Sequence, residues 1–132
     1  MINVHDLKAG DYVIASFEGR EWRGEVTGVQ KDDKLVQVKT DVQEFWYPAE
    51  DVHPIPLNHE QLLTLGFEAQ FQTDGSVKYL KGPFRLWIPQ AGSFMGMDIW
   101  YREDRRHINR SIYVHELQNY YLAMTKVELH PN

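Results

Sequence analysis

Residues 10–26, GDYVIASFEGREWRGEV, decide how the first half of the chain reads. Residues 12–17 are rich in strand formers, Glu18-Gly19-Arg20-Glu21 has turn composition, and a longer strand follows over 22–30. Gly24 and Gly28 inside that strand mark bends or a close approach of another backbone, because glycine otherwise weakens a strand. The same pattern continues outward from this hairpin. Lys31-Asp32-Asp33-Lys34 is a polar turn, and 35–40 alternates with Val36 and Val38 on one face. Residues 41–44 turn again into Phe45-Trp46-Tyr47, which Pro48 stops. Ala49-Glu50-Asp51 makes a single helical turn before a last strand over 52–57.

Five short strands in this layout predict a small SH3-like barrel over residues 1–57. The stretch GDYVIASFEGREWRGEV resembles the corresponding part of Tudor, PWWP and related barrels. That resemblance implies an aromatic face, since Tudor-type barrels hold methylated cations against clustered rings by cation–π attraction. Tyr12, Trp22, Trp46 and Tyr47 are the candidate ligand-binding residues, with Phe17 and Phe45 beside them in sequence. Glu21, Glu44, Glu50 and Asp51 suit a cationic peptide. Alternation along the strand sets Trp46 opposite Phe45 and Tyr47, and the same rings would also serve as core fillers.

His53-Pro54-Ile55-Pro56-Leu57 is a stiff, extended seam between two parts. Asn58 with Gln61 three positions on gives a helix start, and Gly66 a helix stop. Strands are expected over 67–72, 77–80, 84–88 and 97–101, with an Asp74-Gly75 turn between the first two. An arginine cluster follows, then a helix from about residue 113. The expected fold is therefore α+β: a five-stranded SH3-like barrel (1–57), then a small antiparallel sheet of three or four strands flanked by two helices (58–132).

Tyr113-Val-His-Glu-Leu-Gln-Asn-Tyr-Tyr121 comes within one residue of the His-Glu-x-x-His zinc-protease motif. That motif needs histidines at i and i+4, which share a helix face and reach one metal. Here the second position is Asn119, a poor zinc ligand, so no metal site or cofactor is expected. At 100° per residue, Tyr113, Val114, Leu117, Tyr120, Tyr121 and Met124 form one apolar stripe. The stretch reads as a packing helix with Ser111 as N-cap, and with His115 and Asn119 on its solvent side. HPIPL (53–57), LLTLGF (62–67) and YVHELQNYYLAMTKVEL (113–129) resemble an uncharacterised family of small bacterial prophage and mobile-element proteins. That family's helix often ends in a glycine after the threonine matching Thr125. Lys126 stands there in this chain, so the helix is expected to run on towards Leu129.

Composition limits the functional classes. A 132-residue chain with 42% hydrophobic and 25% charged residues folds, and the lack of cysteine excludes disulfides and thiolate chemistry. The opening MINVHDLKAGDYV has no basic start followed by an apolar run, so no secretion signal is expected, and no apolar run reaches membrane-spanning length; a soluble, cytoplasmic protein is expected. Net charge is −5, and residues 1–57 hold six Lys/Arg against eleven Asp/Glu. That balance opposes nucleic-acid binding. Arg102, Arg105, Arg106 and Arg110, next to Trp100 and Tyr101, keep a single-strand-binding alternative open, with Glu103 and Asp104 neutralising part of their charge. P-loop and nucleophile-elbow frames are absent. The expected function is non-enzymatic: a protein-binding or adaptor role with an unidentified protein partner, and alternatively a nucleic-acid accessory role for the arginine segment.

Overall fold

The computed structural model describes residues 2–131, which divide into two compact units. One runs up to Ile55 and includes Tyr113–Asn119; the other contains Pro56–Ile112 and the residues from Tyr120 onward.

The first unit holds β1 (Tyr12–Phe17), β2 (Arg20–Gln30), β3 (Leu35–Lys39), β4 (Glu44–Pro48) and β5 (Val52–His53). They form one antiparallel sheet in the order β4-β3-β2-β1-β5. Glu18 and Gly19 join β1 to β2 with φ of 52° and 75°, the left-handed pair that matches the twist of a two-residue hairpin. Val13, Ala15, Val26, Val36, Val38 and Tyr47 are buried together with Ile2, Val4, Leu7, Ala49 and Val52. Gly24 lies within this packing. A Cβ there would sit 2.6 Å from Val38 Cγ1 and 2.7 Å from the Lys39 carbonyl oxygen. The register shifts at a bulge between Val26 and Gly28, so both glycines of β2 mark the local demands their sequence implies.

The second unit begins with α1 (His59–Thr64), whose Asn58 cap accepts the Gln61 N–H at 2.9 Å. Five strands follow: β6 (Glu68–Phe71), β7 (Val77–Lys81), β8 (Phe84–Ile88), β9 (Met97–Tyr101) and β10 (Asp104–Ile108). They form a simple meander, each pairing with its sequence neighbour. Val77, Tyr79, Phe84, Leu86, Ile88, Met97 and Ile99 are buried on one face. Helical residues meet this same face, with His59 5.7 Å from Tyr79 and Tyr121 4.8 Å from Phe84 between ring centroids. On the opposite face every side chain is half-buried or exposed.

The expected fold class is therefore corrected. The protein is mostly β, with 42% strand against 18% helix, in two five-stranded antiparallel sheets rather than a closed barrel and a small sheet flanked by two helices; helical residues meet one face of the second sheet only. The first sheet does not close into a barrel, because β4 and β5 remain its two edges. Pro54 and Pro56 lack the N–H donors that would extend β5, which pairs with β1 over two residues only. The fifth strand of the second sheet is the arginine segment itself. Arg102, at φ 57°, turns the chain so that Asp104 pairs with Tyr101 and Ile108 with Met97.

The last helix, α2 (Val114–Thr125), buries Val114, Leu117, Tyr121 and Met124 of the expected stripe, whereas Tyr120 is half-buried and Tyr113, just ahead of the helix, is exposed. It stops at Thr125 because Lys126 adopts φ 66°, the left-handed stop that glycine usually supplies. Ser111 does not cap it; its hydroxyl donates to the Phe94 carbonyl at 2.9 Å, while Glu116 accepts the Tyr113 N–H at 3.0 Å. Among the described residues no helix is long and apolar enough to cross a membrane. Gly24→Ala should destabilise the protein by about 1–3 kcal/mol through overpacking against Val38. Urea unfolding would read this as a lower midpoint at unchanged slope.

Candidate functional site

The aromatic candidates of the first sheet do not form one cluster. Tyr47 is buried in the core at 3% exposure, and Phe45 and Phe17 continue that face outward in a chain of rings 6.4 Å apart. Trp22 pairs with Ala15 on the same face and is half-buried. Tyr12 and Trp46 are on the other face, separated by two strands. The Tyr12 hydroxyl donates to Glu25 at 3.0 Å and its ring lies 5.6 Å from the Arg23 guanidinium. Trp46 pairs with Gln37 and its ring lies over Gly28. No cage is assembled from Tyr12, Trp22, Trp46 and Tyr47.

The arginines also separate. Arg106 forms a fork with Asp104, at 3.2 and 2.9 Å, on the helix-bearing face of the second sheet. Arg102 lies in the β9–β10 turn, 5.1 Å from the Tyr101 ring. Arg110 follows β10 and donates to the Ser111 carbonyl at 3.0 Å. Arg105 alone of the four lies on the uncovered face, and there it joins residues that the sequence does not bring together.

That face is built by register. β7 supplies Lys78, β8 Arg85 and Trp87, β9 Asp98 and Trp100, and β10 Arg105 and His107. Arg85 stands opposite Trp100, which stands opposite Arg105. The Arg105 guanidinium lies 4.7 Å from the Trp100 ring, and Lys78 Nζ lies 5.9 Å from it. Both Nε and an Nη of Arg105 reach Asp98 Oδ2, at 3.2 and 2.8 Å, while His107 Nδ1 bonds Asp98 Oδ1 at 2.6 Å. The bonds from His107 and then Arg105 hold the Asp98 carboxyl below its usual range. Asp98 thus holds the Arg105 guanidinium beside the Trp100 indole, with His107 on its other oxygen, before any partner arrives. Period-two alternation within each strand was the available signal for Arg85, Trp87 and Trp100, but β10 had to be recognised before the face could be seen.

The three polar residues of the His-Glu stretch turn inward. The Gln118 side-chain oxygen accepts the Tyr12 N–H and its amide donates to the Gly10 carbonyl, both at 2.9 Å. Asn119 donates to the Asp6 carbonyl at 2.9 Å. His115 is 3% exposed, against an expectation of a solvated side chain, and its Nδ1 and the neighbouring Asn119 Oδ1 are buried without a hydrogen-bond partner. Asp11 is buried too, with its carboxylate 2.9 Å from Lys8 Nζ. Burial pushes the Asp11 carboxyl up, against the pull of Lys8; burial lowers the His115 pKa, opposed by Asp11, Glu116 and Asp6. A depression of about 310 Å³ lined by Ile2, Asn3, Val4, His5, Lys34 and Ala49 includes no carboxylate or hydroxyl in its lining.

Comparison with known proteins finds no matching protein-family model, curated protein or solved structure.

His115 sets a pH dependence whose sign follows from its burial. Its folded pKa lies below 6.5, so below that pH the unfolded chain binds more protons and stability falls as pH falls. The contribution is whole above 6.5. Asp11 acts in the opposite direction, its raised pKa favouring the fold as pH drops towards 3.8. Urea midpoints measured from pH 7.5 downward should decline below about 6.5, and His115→Gln should flatten that decline; an unaltered slope would show that another group carries it.

Proposed function

We propose that the chain is a non-enzymatic binding protein that engages a protein partner through the uncovered face of its second sheet. The observation that carries this reading is Trp100 set between Arg85 and Arg105, with Arg105 already anchored to Asp98. Tryptophan and arginine are the side chains that most often dominate protein interfaces, and fixing them beforehand removes part of the entropy lost on association. Lys78, Arg85 and Arg105 outnumber Glu68 and Asp98 on this face, although the whole chain carries −5. The charge complement is a partner with carboxylates around an apolar centre.

The same geometry disfavours the nucleic-acid reading. A base would need a free ring to stack on, whereas Arg105 and Lys78 already lie near that of Trp100. Phosphates would compete with Asp98 for Arg105 and with Asp104 for Arg106. The net charge adds a long-range penalty.

The test is affinity capture from cell lysate in nuclease-treated and untreated halves, with wild type, Trp100→Ala, Arg85→Glu and Trp46→Ala as baits. The expected result is a protein retained in both halves, lost with Trp100→Ala by at least about 30-fold in affinity and also weakened by Arg85→Glu. Trp46→Ala should retain it. Material lost after nuclease treatment, or capture indifferent to Trp100, would overturn the reading.

A further inference from the structure

The first sheet carries a second feature that does not depend on the Trp100 face. In the β3–β4 ladder, Thr40 donates to the Gln43 carbonyl at 2.8 Å and Ala49 to the Lys34 carbonyl at 2.9 Å. Hydrogen-bonded pairs alternate along an antiparallel ladder, so Val38–Phe45 and Val36–Tyr47 are the bonded pairs between them. Phe45 and Tyr47 therefore spend their backbone groups on β3. The N–H and C=O of Glu44 and Trp46 point the other way, off the sheet edge.

Sheet edges are usually guarded by brevity, by charge or by proline. β5 is two residues long, and β10 carries Asp104, Arg105, Arg106 and His107 in a row. β4 has five residues with one charge, and its only proline closes its far end. Nor does its large side chain block approach. The Trp46 ring leans back over the sheet, where a Cβ on Gly28 would meet Trp46 Cη2 at 3.0 Å. Phe45 remains 47% exposed on the opposite face.

Charge then selects what fits. Across the outer face, Glu25 stands opposite Lys39 and Lys39 opposite Glu44, an alternating row that ends on a carboxylate at the unpaired edge. The next strand completes the alternation with a cation. We propose that the β4 edge takes up an extended segment of a partner protein, antiparallel to it, with a lysine or arginine opposite Glu44 and apolar residues opposite Phe45 and Trp46. Backbone bonds to Glu44 and Trp46 supply the general affinity, and the cation supplies the register.

The probe is a blocked Thr-Thr-Val-Ile-Lys-Thr-Thr peptide, which places lysine opposite Glu44, added to the labelled full-length protein. Amide hydrogen exchange at Glu44 and Trp46 should slow several-fold, while Phe45 and Tyr47, already bonded to β3, should change little. A peptide with glutamate in place of lysine should bind about fivefold more weakly, and Glu44→Lys, at an exposed position, should reverse that preference. Unchanged exchange at millimolar peptide, or equal binding of the two peptides, would overturn the proposal. So would Glu44 and Trp46 amides whose protection rises with protein concentration alone, since a second copy would then occupy the edge.

Discussion

The first unit depends on a single carboxamide. β5 is too short to serve the whole length of β1, which leaves the Tyr12 N–H and the Gly10 C=O facing an edge without a strand. Gln118 supplies one acceptor and one donor to those two groups, as a neighbouring strand residue would, and is itself fully buried. Leaving either backbone group buried and unpaired would cost roughly 1–3 kcal/mol. The surrounding details follow from this junction: Asn119 reaches the Asp6 carbonyl one step further along, Lys8 neutralises the buried Asp11, and His115 is confined beside them. The near-match to a protease motif is explained by packing, since side chains that could have faced solvent are recruited to finish a sheet.

Much of this fold was legible wherever hydrophobic alternation and turn chemistry agreed. Val36 and Val38, the Glu18-Gly19 hairpin, the Asn58 cap and the apolar stripe of α2 all stand where local rules put them. Gly24 was legible as a close approach, though not which atoms approach it. Two features were hidden for different reasons. β10 reads as a solvated loop because Asp104-Arg105-Arg106-His107 places charge on both faces, and its pairing comes from the Arg102 turn and the preceding strand. The inward side of α2 reads as polar and therefore wet, because its partners are backbone groups more than a hundred positions earlier in the chain. No periodicity within a helix can report an unpaired strand edge elsewhere.

The site was less legible than the fold, and for the same reason. Tyr12, Trp22, Trp46 and Tyr47 are close in sequence or pattern, yet pleating divides them between two faces. Arg85, Trp100 and Arg105 are scattered over three strands, and register brings them into one row. Aromatic count in a β-rich chain therefore says little about a binding surface until strand order is known. Both sheets bury one face with aliphatic and aromatic residues and leave their charged side chains on the other face or along an edge.

The division of the chain has a consequence for synthesis. Everything the first unit needs is made early except the turns of α2 that carry His115, Gln118 and Asn119, which follow the whole of residues 56–112. A ribosome must complete the second unit's five strands before the first can be sealed. During that interval the nascent first sheet exposes Asp11 and an unpaired stretch of β1. The first unit thus stays open along β1 until the residues through Gln118 have been made, and a stop anywhere ahead of Gln118 would leave it unfinished.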